Sequence, residues 1–339
     1  MARKDTDAFC LVEQSRYEFI DEHTSALRNW DLDVYQLDSG PYDFSELLLS
    51  TADIQYIYLH TVRRVLNRAA ASRPGFQFCF QLTEDLLPVN LHAEINRPAI
   101  WCIPAGSEVE VVLPNGFQGI TLYLSDTLFY QWCDLFRLSR TSLPSGNEYT
   151  IYFPDERQQK RLIRMLMALK RLAQRVDPCA ISHIQDSGLW LHEITLNEIA
   201  PLLFDVMENG SDAKYRARSE TLLSAIRILT FDLDSPPSIE ELAAILSTTP
   251  RNLQYLFRRH LGVTPKQFIQ LYRLNEARRS LWRTAGVSGA VSNVANQLGY
   301  WHMGDFSRQF RTLFHKLPSD YLHRESAPEL IRRVIIGET

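Results

Sequence analysis

Residues 251–258 carry polar side chains that can hydrogen-bond to the edges of nucleic-acid bases. Helical periodicity buries Leu253, Leu256 and Phe257 and leaves a polar set on the outer face. That set is Arg251, Asn252, Gln254, Tyr255 and Arg258. In a major groove, arginine makes paired hydrogen bonds with guanine and glutamine makes them with adenine. Tyr255 has two open uses, a contact to phosphate or a contact to a thymine methyl group.

Residues 302–311 carry a second and poorer set of such side chains. The candidates are His302, Asp305, Arg308 and Arg311. We expect Arg308 to face bases and Arg311 to face the phosphate backbone. Asp305 can accept a hydrogen bond from cytosine or cap the first turn of a helix, and both uses stay open. Because Gly304 offers no side chain, this set is expected to position the protein more than to select bases.

The two sets belong to an internal repeat. ELAAILSTTPRNLQYLFRRHLGVTPKQF (241–268) aligns with NVANQLGYWHMGDFSRQFRTLFHKLPSDY (293–321) at offsets of 52 and then 53 residues. Each copy predicts a short helix, a turn and a longer helix with basic residues outside its apolar stripe. This is the sequence form of a helix-turn-helix, whose second helix can enter a major groove. Trp301, close to the hinge Gly299, is expected to be a core wedge rather than a base stacker.

One long helix is predicted between the two copies. The segment TPKQFIQLYRLNEARRSLWRT has a helical apolar period over about nineteen residues. At about 1.5 Å per residue such a helix spans roughly 28 Å. Successive major grooves recur about every 34 Å on one face of B-DNA. A single chain can therefore present two recognition helices to two groove segments.

The front of the chain has the pattern of a β domain. From about residue 30 to 125, short apolar runs separated by turn residues predict a small antiparallel barrel with an apolar interior. Alternation along the strands suggests six pocket residues. They are Ile57, Leu59, Phe78, Phe80, Trp101 and Val111. Whether side chains or a ligand fill that interior stays open.

Helices follow the barrel, and the spacing of apolar residues divides the chain into domains. Residues 126–208 show helical periodicity, and one basic-edged stripe there either packs on its own domain or forms a dimer seam. Residues 209–218 are poor in apolar side chains and are predicted to be a linker. We therefore expect a front domain at 1–208, an all-α domain at 219–324 and a tail at 325–339.

Charge is distributed unevenly between these parts. The whole chain has 339 residues and a net charge of −4. Residues 1–215 carry 19 Lys and Arg against 29 Asp and Glu, whereas residues 216–324 carry 15 against 8. The basic all-α domain is therefore the part that suits a polyanion. Opposite charges also allow the front domain to dock on it.

Several functional classes lack support in the sequence. The five cysteines are scattered and never form a C-x-x-C pair, so we expect buried thiols and no disulfide framework or zinc site. No phosphate-loop or hydrolase motif occurs, and no metal, cofactor or catalytic residue is predicted. No run of about 18 uncharged apolar residues occurs, and the N-terminus lacks a signal-peptide pattern. We expect a cytoplasmic protein without membrane contact.

The C-terminal segments at 238–281 and 291–322 resemble the DNA-binding domain of the AraC/XylS family of bacterial transcription regulators. The resemblance covers about 105 residues, and the stretch GYWHMGDFSRQFRTLF resembles locally the branch that includes the ethanolamine-operon regulator. Three positions depart from the family pattern. Ser247 and His315 stand where the family usually has Gly, and Leu322 stands where a basic residue is frequent.

The resemblance implies an α+β protein with a cupin-like N-terminal antiparallel β-barrel and dimerisation helices, then an all-α domain of two helix-turn-helix units joined by a linker helix. Base contacts would fall on Arg251, Gln254 and Tyr255. The implied function is a sequence-specific transcription regulator, an activator, controlled by a small-molecule effector or by dimerisation. The implied partners are double-stranded promoter DNA, RNA polymerase, an effector and a second copy in a homodimer. The alternatives are an interaction adaptor that does not bind DNA and a DNA-repair enzyme fused to the same helical domain.

Overall fold

The computed structural model describes most of the chain as a β-rich front part and an all-helical back part. The described residues are 10–27, 29–83, 86–91, 95–139, 143–144, 148–175, 187–214, 220–287, 289–322 and 329–336. The front part extends to residue 214, and the helices of the back part occupy residues 220–322. A last strand follows them.

The described strands form two antiparallel sheets. They are β1 (Cys10–Tyr17), β2 (Trp30–Gln36), β3 (Phe44–Ser50), β4 (Ile54–Thr61), β5 (Val65–Ala71), β6 (Phe76–Gln81), β7 (Val89–Asn90), β8 (Ile100–Pro104), β9 (Glu108–Leu113), β10 (Phe117–Leu124), β11 (Thr150–Phe153), β12 (Ser211–Lys214) and β13 (Glu329–Ile336). Nine strands are ordered β12-β11-β8-β6-β10-β4-β3-β1-β13, and four are ordered β2-β5-β9-β7. Every pairing is antiparallel, as short connections between consecutive strands favour.

This arrangement corrects the predicted closed barrel of residues 30–125. The two sheets are separate, and strand structure begins at Cys10. The sequence of β1 mixes Glu, Gln, Ser and Arg with apolar residues, so it gave no strand signal on its own. Its strand form is supported by pairing with β3 from Leu11 to Tyr17. Tertiary pairing therefore decides its conformation.

Helix α1 (Ile20–Ala26) lies against β2 and β1. The helices that pack on the outer face of the nine-stranded sheet are α2 (Asp126–Phe136), α3 (Glu156–Arg175), α4 (Ser187–Ile194), a π-helical turn (Thr195–Ile199) and α5 (Ala200–Asn209). The stripe of α3 that was predicted is buried against this sheet and its helices. Its members are Leu162, Leu166, Leu169 and Ala173. The stripe thus packs on its own domain.

The structure changes both predicted connecting segments. The predicted linker, 209–218, contains strand β12, which pairs with β11 along four residues, while 215–218 lie outside the described residues. The predicted tail, 325–339, contains strand β13, which pairs with β1 at the edge of the nine-stranded sheet. The chain therefore returns to the front domain after the helical domain ends.

The described residues of the back part form six helices and a final 3-10 turn. They are α6 (Glu220–Phe231), α7 (Ile239–Ile245), α8 (Pro250–Leu261), α9 (Pro265–Arg283), α10 (Ala290–Gln297), α11 (Met303–Phe314) and the turn Pro318–Tyr321. Side-chain caps fix several starts: Ser238 and Thr264 form capping boxes ahead of α7 and α9, and Thr249 caps α8 ahead of Pro250. Two apolar clusters, one around α8 and one around α11, share α9.

Helix α9 also joins the back part to the front part. The Asn275 amide accepts from the backbone N–H of Gln36 at 2.9 Å and donates to its carbonyl at 3.0 Å, so it pairs with the free edge of β2. Arg278 makes a 2.6 Å ion pair with Asp21 of α1, and the two side chains are 1% and 8% exposed. The rings of Tyr35 and Tyr272 stack at 4.6 Å. A buried polar interface thus holds the domains together.

Candidate nucleic-acid interface

The local sequence positions α8 with one face outward. Leu253, Phe257 and Leu261 have no exposed surface and pack in the core that α8 shares with α9. The residues between them point away from that core, as a 3.6-residue period requires. The exposed set contains all five predicted residues, Arg251, Asn252, Gln254, Tyr255 and Arg258. The structure therefore brings these side chains together on one solvent-facing surface.

Two of the exposed side chains of α8 are held by neighbours. Asn252 donates to the Thr248 hydroxyl at 2.9 Å, which ties it to the turn before the helix. Tyr255 accepts a hydrogen bond from Arg259, whose guanidinium also lies 5.7 Å from the centre of the tyrosine ring. Arg259 was not among the predicted residues. Its spacing of four residues from Tyr255 is the signal that could have indicated it.

Helix α11 presents the second predicted set on its exposed face. His302, Asp305, Arg308 and Arg311 are all exposed. His302 is the N-cap residue, and its side chain makes no capping hydrogen bond. Asp305 accepts from Arg308 at 2.6 Å instead of capping the helix, which removes the capping interpretation. At Gly304, apart from its chain neighbours and its own helix backbone, no described atom lies within 4 Å of the position that a Cβ would take, so this part of the face is open.

Trp301 corrects a prediction. It was expected to wedge into the core, but 78% of its surface is exposed. Its neighbour Tyr300 is the residue that packs inward, 5.1 Å from the ring of Phe306. The hinge Gly299 has a left-handed backbone with φ of 77°, and only one of the two following rings turns toward the core. Trp301 thus stands beside the N-terminus of α11, where a large exposed ring is available for a partner.

The two helix pairs repeat in three dimensions. Helices α8 and α11 each have 12 residues, and each ends at a residue with left-handed backbone, Gly262 with φ of 76° and His315 with φ of 56°. Ser247 and Gly299, which follow the first helix of each pair, are also left-handed. Helix α9, with 19 residues, connects the pairs as predicted. The repeat found in the sequence is therefore a repeat of backbone conformation.

The front domain contacts the C-terminal end of α11. The carbonyl of Leu313 accepts from the backbone N–H of Gly40 at 2.9 Å and from the Gln36 amide at 3.0 Å. The carbonyl of Thr312 accepts from the Ser39 hydroxyl. Both carbonyls belong to the last turn of α11, where backbone C=O groups lack a hydrogen-bond donor within the helix. The front domain therefore completes the hydrogen bonding at one end of α11 while its candidate contact residues stay exposed.

The front domain contains a cavity of about 140 Å³ between its two sheets. Five of the six predicted pocket residues line it: Ile57, Leu59, Phe80, Trp101 and Val111. The prediction for Phe78 is wrong, because this side chain packs on the opposite face of the sheet, 5.6 Å from the ring of Phe129. Strand alternation is the reason: Cys79 and its partner Thr121 lie on the cavity side, so Phe78, one residue away, faces the helices. Phe80 shares that helix-side core with Phe78 and still borders the cavity.

No metal site is visible in the parts of the chain that the structure describes. There, no group of three His, Cys, Asp or Glu side chains could share an ion. The described cysteines are free thiols, and burial raises the pKa of Cys79 to about 11. Cys179 lies outside the described residues. None of the described helices has both the length and the apolar character that crossing a membrane requires.

Comparison with known proteins gives matches that centre on the back part. A family described as a helix-turn-helix domain matches residues 242–324. The chain is 34% identical over 129 residues to a XylDLEGF operon transcriptional activator of Pseudomonas putida, which covers 37% of this chain and 40% of that protein. It is 28% identical over 152 residues to a probable thc operon regulatory protein of Rhodococcus erythropolis, covering 42% and 46%.

Among solved structures, the chain is similar to a probable AraC family transcriptional regulator from Rhodopseudomonas palustris. The identity is 26%, the match covers 32% of this chain and all of that chain, and the TM-score is 0.29. The chain spans about two fifths of the length of the curated relatives that it matches. The C-terminal part of the chain therefore matches a helix-turn-helix family and is similar to bacterial transcription regulators.

Proposed function

We propose that this protein is a sequence-specific transcription regulator, an activator, that binds promoter DNA through two helix-turn-helix units. The units are α7 with α8 and α10 with α11. The observation that carries this proposal is the pair of equal 12-residue helices with exposed basic faces, held apart by the single helix α9. A 19-residue helix is roughly 28 Å long, which suits two successive major grooves.

The exposed faces of α8 and α11 divide into base-contacting and backbone-contacting residues. Arg251 and Gln254 can meet guanine and adenine edges, and Arg308, which aligns with Tyr255 in the repeat, is the base-contacting candidate of α11. Arg258 and Arg311 lie further along their helices and suit phosphates. The residues Asn252, Tyr255, His302 and Asp305 complete the proposed contact set. Because Asn252 is tied to the turn, it supports the helix more than it selects a base.

The front domain is proposed to control this activity. Its cavity would bind a small-molecule effector, and its contacts with α9 and α11 give it a physical connection to both DNA-binding units. A homodimer and RNA polymerase are the further partners that the family implies. The ion pairs between the domains place acidic residues on the front side and basic residues on the back side, as in Asp21–Arg278 and Asp33–Arg279. The acidic front part and the basic back part therefore attract each other through ion pairs at their interface.

A gel shift with genomic fragments selected by the full-length protein tests this function. We expect Arg251→Ala and Arg308→Ala each to cost about 1 to 3 kcal/mol of binding free energy and to relax base preference. Arg227→Ala is the matched control, because it removes an exposed positive charge from α6 of the same domain. If neither variant on α8 or α11 binds more weakly than the control, the DNA-binding assignment is wrong and an interaction adaptor becomes the better account.

A further inference from the structure

The cavity of the front domain has the size of a single ring. Its volume is about 140 Å³, and an engineered apolar cavity of about 150 Å³ binds benzene. Most of its wall is apolar, with Trp30 and Trp101 as its largest members and phenylalanine and aliphatic side chains from both sheets between them. Such a wall favours a compact apolar molecule over a sugar or a nucleotide, whose hydroxyls would lose their hydrogen bonds to water.

The wall of this cavity lacks positive charge. Of the described residues that line it, none is a lysine or an arginine. His23 is the one imidazole there, and burial lowers its pKa to about 3, so the ring is neutral at pH 7. It exchanges a 2.8 Å hydrogen bond with the hydroxyl of Tyr42 and stacks 3.7 Å from Phe44. A ligand carboxylate would therefore be moved from water to a site without a compensating cation.

Two polar groups of the wall offer unused hydrogen-bond acceptors. Glu46 accepts from the Tyr17 hydroxyl at 2.8 Å through Oε1, while Oε2 has no donor among the described residues. Burial raises the pKa of this carboxyl, and the bond from Tyr17 opposes that rise. The side-chain oxygen of Asn67 is buried, and no described residue donates to it. Two acceptors in one apolar cavity leave room for a donor that the protein itself does not supply.

We propose that the effector is a ring-sized apolar molecule that carries a hydrogen-bond donor and no negative charge, an arylalkyl amine with its ammonium group on Glu46. This inference rests on the proposed control by a small molecule and adds the chemical class of that molecule. An ammonium–carboxylate hydrogen bond in an apolar site is stronger than the bond of a neutral hydroxyl. Glu46 is therefore the residue that makes the cavity prefer a ligand with an ammonium group over one with a neutral hydroxyl.

The same wall connects the cavity to the DNA-binding part. His23 belongs to α1, and two residues earlier in that helix Asp21 makes the buried ion pair with Arg278 of α9. A ligand that displaces His23 or the Phe44 ring stacked on it would therefore move α1, which is bonded to α9 through Asp21. Through these contacts, a bound ligand can shift α9 and so change the distance between the two helix pairs proposed to bind DNA.

Titration calorimetry on the full-length protein, without DNA, tests the inference. The probes are benzylamine, benzyl alcohol, toluene and benzoate, which share one ring and differ in charge and donor. We expect benzylamine to bind about tenfold more tightly than benzyl alcohol, which corresponds to about 1.4 kcal/mol. Benzoate should not bind at the same concentrations. Equal binding of benzoate and benzylamine, or binding by none of the four probes, would overturn the proposal.

Two variants assign the preference to one carboxylate. Glu46→Gln should reduce the tenfold advantage of benzylamine to near equality with benzyl alcohol, while it leaves the binding of toluene unchanged. Glu108→Gln is the matched control, because it removes an exposed carboxylate from β9 and should keep the tenfold advantage. An advantage that survives Glu46→Gln contradicts the assignment. The calorimetry contains no DNA. Ligand binding is therefore tested independently of DNA binding, and a negative gel shift would not change its outcome.

Discussion

At the scale of single residues, the structure separates side chains that are free to contact DNA from side chains already engaged. Arg251 and Gln254 are exposed on α8, whereas Arg308 on α11 is paired with Asp305 at 2.6 Å. Both partners of that pair are largely exposed, so the pairing is weak and can be exchanged for a phosphate or a base. Among the described residues, helix α8 therefore has more unpaired polar side chains in its proposed contact set than α11.

Trp301 gives the first prediction at this scale. Trp301→Ala should weaken DNA binding by about 1 kcal/mol or more, because the exposed ring lies beside the N-terminus of α11, and it should leave the free energy of unfolding nearly unchanged. A buried tryptophan would instead cost about 3 to 5 kcal/mol on truncation. Gel shift and urea unfolding measure the two quantities.

The control for Trp301 is another exposed ring. Phe231, at the end of α6, is 92% exposed and lies outside the helices proposed to contact DNA. Phe231→Ala should leave DNA affinity unchanged. An equal loss of affinity in both variants would show that the effect of Trp301 is not specific to the interface.

Asp305 gives the second prediction. Asp305→Ala should increase DNA affinity up to about fivefold, because it removes a negative charge from the interface and releases Arg308, within the roughly 1 kcal/mol range of an exposed pair. Fluorescence anisotropy with a selected fragment measures this change. Glu240→Ala, which removes an exposed charge from α7, should give a smaller increase. A loss of affinity limited to fragments with one cytosine would show that Asp305 contacts that base.

At the scale of elements, the two helix pairs are equivalent in backbone and unequal in sequence. Ser247 and His315 adopt left-handed conformations, with φ of 48° and 56°, at the two positions where the family usually has glycine. A left-handed backbone costs a residue with a Cβ about 1 to 2 kcal/mol. Ser247 and His315 therefore keep the left-handed backbone that glycine would adopt there, at the cost of local strain.

This strain leads to a third prediction. Ser247→Gly and His315→Gly should each raise the free energy of unfolding by about 0.5 to 1 kcal/mol, because relief of strain exceeds the added entropy of glycine in the unfolded chain. Urea denaturation measures the change. Gly286→Ala is the opposite control, since its φ is 81° and the space around it is open, so it should destabilise by a similar amount. A loss of stability in the two glycine variants would contradict this account of the turns.

The helices of the back part were predictable because their sequence repeats, whereas features set by tertiary contacts were not. The matched apolar positions and the caps at Thr249 and Thr264 follow from local sequence. Phe78 and Trp301 were assigned wrongly, because strand register and the rotation after Gly299 decide which way they face. Nothing in the helical pattern indicated that Asn275 and Arg278 would be buried, since polar residues of a helix are ordinarily assigned to solvent.

At the scale of the whole molecule, the front and back domains are connected through buried polar contacts. Asp21 and Arg278 form the most enclosed ion pair between them, and Asn275 binds the edge of β2. The strand β13 returns to the front sheet after the last helix. Because the loop around Ser39 and Gly40 binds the last carbonyls of α11, movement of the front domain would displace α11, the second of the two helices proposed to contact DNA.

The buried pair gives a fourth prediction. Asp21→Asn and Arg278→Met should each cost about 3 to 5 kcal/mol of unfolding free energy, because each leaves one buried group without its charged partner. The double variant should cost clearly less than the sum of the two losses. Lys316→Met, which breaks the more exposed pair with Glu18, should cost less than about 1 kcal/mol. Additive losses at Asp21 and Arg278 would show that the two side chains are not coupled.

The central claim is that one chain places two helices in two successive major grooves. Methylation interference at guanine N7 on a selected genomic fragment tests it most directly, because N7 lies in the major groove. The structure predicts two groups of interfering guanines on one face of the duplex, about ten base pairs apart, and Arg251→Ala should remove positions from one group only. A single group, or two groups that both persist unchanged in Arg251→Ala, would contradict the claim.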